Sequence, residues 1–274
     1  MTDFSVHFWG VRGSLPACGP DTDRSGGHTS MVEMRCGERV LIFDTGSAAK
    51  IAGDSIHERG LSEVDVFFSH FHYDHIIGLP FFFFALGKEI RIGLWSGHLN
   101  GPLSTRDLVE RFMTPPFFPV TPTESQARLD YHDFDPGETL VPGAGISVKT
   151  IRLNHPGGAV GYRVTYDGHS AAYVTDVEHR TAEVDSKLAG FLKGADLVIY
   201  DAAYTDSELV SCRGYGHSTW QHGVKLAKTA GVKRFALFHH CLDRTDDQLD
   251  AIEKAAKARF PGTFVAREGM TISL

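Results

Sequence analysis

SHFHYDHIIGLP, residues 69–80, sets three histidines and an aspartate into six positions between an apolar run and a Gly-Leu-Pro. His70 and His72 are two apart, so an extended loop leaving a strand points both the same way. Asp74 and His75 follow at once and face a second point a few ångströms on. Imidazole and carboxylate suit zinc and similar divalent ions, and a catalytic centre keeps one coordination position for water. Four ligands in six residues cannot close round one ion without strain, so two adjacent ions are the natural occupant. The bland alternative is a solvated loop with chance histidines, since the chain holds 15 of them. The complete HxHxDH string directly after an apolar strand disfavours that alternative.

Working outward, the chain has 274 residues, 42% hydrophobic and 22% charged, enough for a substantial core. Its 27 basic against 34 acidic residues give a net charge of -7, the wrong sign for gripping long nucleic acid. No run approaches the roughly 20 apolar residues that span a bilayer, and the N-terminus lacks a basic, apolar leader pattern. A cytoplasmic protein with no membrane partner is therefore expected. Cys18, Cys36, Cys212 and Cys241 are scattered, which reads as reduced and mostly buried thiols.

No repeat, low-complexity tract or long linker divides the chain, and 1–274 reads as a single domain. SVHFWGV, then TSMVEMRCGERVLIFDTG with a turn at Cys36–Glu38, read as strands; AAKIAGDSIHERG has helical spacing; VDVFFSH is a strand entering the histidine motif. Residues 88–150 read as short strands alternating with Pro-rich turns. Beyond them SAAYVTD, ADLVIYDAAY and KRFALFHH are apolar strands that each end in Asp or His, while STWQHGVKLAKTAG and TDDQLDAIEKAAKARF are capped helices. Polar groups gathered at the ends of four strands mark a site in a layered α/β fold.

HxHxDH after a strand resembles the signature of the metallo-β-lactamase fold superfamily, and HFHYDHIIGLPFF is similar to its phosphodiesterase-type branch, which includes ribonuclease Z and cyclic-nucleotide phosphodiesterases. The resemblance spans nearly the whole chain and implies a four-layer αββα sandwich. DTG, 44–46, resembles the family's first motif, whose aspartate orders the metal loop from behind. On that template His70, His72 and His155 hold one divalent ion, Asp74 and His75 the other, and Asp176 bridges both. His239 is the favoured last ligand in FALFHH, with His240 the alternative. The implied ions are zinc, or manganese. Taken alone, His155 before a proline is a loop residue and Asp176 a turn or helix-cap residue.

In ribonuclease Z-like enzymes an acidic residue supports a histidine of an HST motif that assists the leaving group, and Asp201 in YDAAY with His217 in GHST matches that order. The plain alternative is a turn aspartate and a helix cap. The resemblance thus implies catalytic roles for Asp74, Asp201 and His217, with a metal-bridging hydroxide attacking phosphorus. The glycine-rich loop 12–30 is similar to one that covers the site in this branch, although His28 replaces the asparagine of GGNTS; Arg12 or Arg24 is a candidate phosphate contact. Ribonuclease Z carries a Gly/Pro-rich arm that grips transfer RNA, and no basic insertion of that kind is legible here. A small phosphodiester, a cyclic nucleotide or sugar phosphate, is the expected substrate. PFFFFALG is expected in the core, at the pocket or at the contact of a homodimer. Two other functions remain open: hydrolysis of a lactam, lactone or thioester, and a degenerate nucleotide-binding protein. His7, His57, His98, His132, His169, His179 and His222 match no motif and read as surface or structural residues.

Overall fold

Alternation along the first strand shows how the chain builds its layers: in β1 (Phe4–Gly10), every second side chain is buried. A computed structural model describes residues 3–125 and 127–274. From β1 the chain runs through β2 (Met31–Cys36) and β3 (Arg39–Phe43), then α1 (Ala49–Glu58) and β4 (Glu63–Phe67). Next come α2 (Tyr73–Ile76), α3 (Leu79–Leu86), β5 (Arg91–Ser96), α4 (Thr105–Phe112) and β6 (Arg128–Asp133). A second set follows: β7 (Thr139–Leu140), β8 (Ser147–Leu153), β9 (Ala159–Tyr166), β10 (His169–Val174), α5 (Ser186–Leu192) and β11 (Leu197–Asp201). It continues with α6 (Asp206–Cys212), α7 (Trp220–Ala230), β12 (Arg234–Phe238), α8 (Asp246–Arg259) and β13 (Thr263–Val265), and β14 (Thr271–Ser273) returns to the first set.

The two seven-stranded sheets have orders β14-β1-β2-β3-β4-β5-β6 and β13-β12-β11-β10-β9-β8-β7. In each, an antiparallel meander passes into parallel pairing, at β3–β4 in the first and β10–β11 in the second. Phe4, Phe8, Phe43, Phe67, Tyr162, Tyr173 and Phe238 fill the space between the sheets. A second apolar cluster joins the first sheet to α1 and α3, and a third joins the second sheet to α5, α7 and α8. The result is the expected αββα sandwich. β11 is buried along its whole length because it is covered on both faces, which is why LVIYD reads as a continuous apolar run.

Two expectations need correction. Residues 88–150 are not strands and turns alone: α4 forms there, because Ser104 and Asp107 cap each other's backbone N–H and Leu108 and Val109 face inward. Gly78 leads into α3, Pro80 standing in its first turn where no N–H is needed. Of the cysteines, all free, only Cys36 is buried. Among the described residues no helix is long and apolar enough to cross a membrane.

Arg12 is fully buried and is not a phosphate contact. Its guanidinium donates to the carbonyls of Gly26 (2.8 Å) and Arg244 (2.6 Å) and to Ser25 Oγ (2.7 Å), tying the glycine-rich loop to the segment after β12. Arg24 is likewise committed, to Asp246, Asp247 and Asp250. Arg12→Met would strand those buried acceptors and is expected to cost about 3 kcal/mol, read as a lower urea midpoint with an unchanged slope.

Candidate metal centre

The strand ends bring the anticipated ligands together in two groups that share one carboxylate. In the first, His72 Nδ1 lies 2.9 Å from His70 Nε2 and 3.1 Å from His155 Nε2. Asp176 Oδ2 stands 3.6 Å from His70 Nε2 and 3.7 Å from His155 Nε2. In the second, Asp74 Oδ2 is 3.3 Å from both His75 Nε2 and His239 Nε2, and Asp176 Oδ1 is 3.3 and 3.2 Å from those same nitrogens. Asp176 therefore turns one oxygen to each group. Of the last pair, His239 faces the cluster; His240 turns away, its Nε2–H donating to the Ala266 carbonyl at 2.9 Å.

Donor atoms this close repel unless a positive charge lies among them. Ligands bonded at about 2.1 Å to a tetrahedral ion stand about 3.4 Å apart, close to the spacings here. His75 Nε2 and His239 Nε2, both buried, have no hydrogen-bond partner of their own, so their lone pairs are free for an ion. Electrostatics makes the same demand. Burial opposes protonation of His75, yet Asp74, Asp176 and Asp44 outweigh it and lift its pKa well above that of an ordinary imidazole. Burial likewise opposes ionisation of Asp176, and the surrounding imidazoles override it. The residues present fit two divalent cations.

A second layer of side chains aims these donors. Asp44 Oδ2 accepts from His75 Nδ1 (2.7 Å), Ser69 Oγ (2.7 Å) and Tyr173 OH (2.8 Å), and its Oδ1 accepts from the Ser69 amide (2.7 Å). Fixing Nδ1–H in this way leaves Nε2 of His75 as the coordinating atom. The Ser14 amide donates to Asp74 Oδ2 at 2.8 Å. Backbone strain points to the same place: among the described residues the non-glycine ones with positive φ are Ser14, Asp44, Asp167, Asp176 and His239, and all but Asp167 belong to the site.

Beside the second group lies His217. Its Nδ1 is 3.0 Å from Asp201 Oδ2, its ring stacks on His239 with centroids 4.8 Å apart, and Asp201 is wholly buried at the end of β11. Burial disfavours the imidazolium, but the charge and hydrogen bond of Asp201, with Asp176 and Asp74 behind, raise its pKa to about 9. The Asp201 carboxylate thus orients the ring through Nδ1 and favours its protonated form.

A model of the beta-lactamase superfamily domain matches residues 38–240, most of the chain and nearly every residue named above. The chain belongs to the beta-lactamase superfamily. The ribonuclease Z of Bacteroides fragilis (strain YCH46) is 23% identical in an alignment covering 100% of both chains. Among solved structures, the metallo-beta-lactamase fold protein YhfI from Bacillus subtilis matches with a TM-score of 0.72 at 22% identity over 98% of each chain. A diphosphatase from the PhnP family matches with a TM-score of 0.69 at 18% identity over 99% of this chain and 98% of its own. At such identities the structural likeness bears on the fold. With the family and its named relatives, the chain is a metal-dependent hydrolase.

Several parts of this superfamily site escape a reading of the sequence. Tyr173 looks like any apolar strand residue, yet its hydroxyl anchors Asp44. Gly216 is the carbonyl partner of His155 Nδ1 at 2.8 Å; its φ is +90° and a Cβ there would stand 2.2 Å from that nitrogen. Only glycine fits, and its place directly before His217 is the one available hint. Gly216→Ala is expected to displace His155 and reduce bound metal from near two ions per chain toward one, checked by elemental analysis of dialysed protein. His28, the departure from the family pattern, bonds through Nδ1 to Ser47 Oγ at 2.9 Å, and its amide donates to Glu268 Oε1. His98 packs flat on Phe71 at 5.6 Å, so it is a buried structural residue.

Proposed function

We propose that this superfamily member is a binuclear phosphodiesterase for a small phosphodiester, a cyclic nucleotide or sugar phosphate, with the whole chain as one hydrolase domain. His70, His72 and His155 would hold one ion and Asp74, His75 and His239 the other, with Asp176 shared between them; zinc is the preferred metal and manganese the alternative, by the donor chemistry. Two such ions supply a hydrolytic nucleophile near neutral pH and neutralise phosphoryl charge. His217, oriented by Asp201, delivers a proton to the departing oxygen. Asp74 both binds metal and, through the Ser14 amide, fixes the glycine-rich loop over the site.

The observation that carries this reading is the Asp201–His217 pair beside the two donor groups. A thiolate leaves without a proton, so a thioester hydrolase has no use for a buried carboxylate–imidazole donor, whereas an alkoxide leaving group does. Charge supports a small substrate: the net charge of -7 disfavours long nucleic acid. Phe82 and Phe83 are buried, but Phe81 and Phe84 are exposed and touch Phe118; that ledge is the face by which the chain would form a homodimer. A screen of cyclic mono- and dinucleotides, bis(4-nitrophenyl) phosphate, a lactam and a thioester tests the reading. Turnover confined to phosphodiesters is expected; turnover of the lactam or thioester alone would overturn it.

A further inference from the structure

We infer that a small cleft beside His217 receives a second anionic group on the leaving side of the substrate, so that the preferred substrate is a phosphodiester whose departing alcohol itself carries a phosphate. This rests on the phosphodiesterase reading and narrows its substrate class. The cleft, 150 Å³, is walled by His179, Arg213, His217, His222 and Lys225. It lies between the start of α7, the residue after α6 and the loop that follows β10. Small-molecule sites run to roughly 300–1,000 Å³, so this one suits a single phosphate-sized group and not a base or sugar.

Its positive charge comes from Arg213 and Lys225, while burial holds the His179 and His222 imidazoles below their ordinary pKa, as neutral polar groups fixed in place. His222 is 8% exposed and its Nε2 has no hydrogen-bond partner. Its ring lies against His179, centroids 3.8 Å apart and planes 18° apart. His179 is locked in turn by Tyr200 OH at 2.6 Å, and Tyr200 by Ser218 Oγ at 2.7 Å, the residue next to His217. Arg213 and Lys225 are exposed, and neither makes a salt bridge among the described residues. The wall also holds one acid, Asp206, which accepts from Thr219 Oγ1 at 2.6 Å and is outnumbered by the two cations. A guanidinium and an ammonium facing two fixed imidazoles form a phosphate-binding set. Because His217 borders both this cleft and the metal-ligand cluster, an oxygen protonated by His217 leaves with its substituents directed toward the cleft.

The test compares adenylyl-adenosine without a terminal phosphate and with one at its 5′ or 3′ end, using metal-loaded protein. One phosphorylated form is expected to exceed the unphosphorylated one in kcat/KM by at least about tenfold. In the Arg213→Ala/Lys225→Ala variant that ratio should fall to near one. Equal rates in the unmodified protein, or a ratio that survives in the variant, would overturn the inference. A second readout does not depend on turnover: titrating inorganic phosphate into zinc-loaded, 15N-histidine-labelled protein should give saturable ring-nitrogen shifts at His179 and His222 that the double variant lacks. Absence of those shifts would also overturn it. Shifts without cleavage of any phosphodiester would leave the anion cleft standing and remove the phosphodiesterase reading.

Discussion

His217→Ala is expected to slow cleavage of phosphodiesters with alkoxide leaving groups by about 10²–10⁴-fold, the usual worth of a positioned proton donor. Metal content should stay near two ions per chain, because His217 Nδ1 is committed to Asp201 at 3.0 Å and lies farther, 3.8 Å, from the shared carboxylate Asp176 Oδ2. The leaving group decides the size of the effect. Nitrophenolate departs without help, so bis(4-nitrophenyl) phosphate should lose far less rate than a cyclic nucleotide. Asp201→Asn should follow the same pattern more weakly: an amide still orients the ring but no longer stabilises its charge. Equal losses on both substrates together with loss of metal would make His217 a ligand instead.

Asp176→Ala should have the widest effect of any single substitution in the site. Its two oxygens face separate donor groups, 3.6 Å from His70 Nε2 on one side and 3.2 Å from His239 Nε2 on the other. Both ions are therefore expected to leave on dialysis, and every substrate, the nitrophenyl ester included, to fall by more than about 10⁴-fold toward the uncatalysed rate. The contrast with His217→Ala is the useful part: one variant spares good leaving groups and keeps metal, the other does neither. Thermal stability measured with and without chelator should differ for the unmodified protein and coincide for Asp176→Ala, since only a protein that binds the ions gains by them.

Much of this centre is legible in the chain because its ligands stand where apolar strands stop. β4, β10, β11 and β12 each run as buried strands and then present His70, Asp176, Asp201 or His239, so a change from apolar to ligand-type residues marks both a strand end and the site. What the sequence hides is set by tertiary contact. Arg12 looks like a surface cation, and only the meeting of the glycine-rich loop with the segment after β12 buries it. His239 and His240 are equivalent as letters; their backbones differ, His239 taking a φ of +58° that swings its ring into the cluster. The helix α4 was disguised by Pro102 and Pro115 on either side, although Ser104 and Asp107 carry its cap. The paired His179 and His222 are 43 residues apart in sequence and come together by packing alone.

The most direct test of the two-ion centre is anomalous diffraction at the zinc edge from crystals of the zinc-loaded protein. The expected map has two peaks about 3.5–4 Å apart, one among His70, His72 and His155, the other among Asp74, His75 and His239, with Asp176 between them. A single peak, or peaks away from these residues, would contradict it.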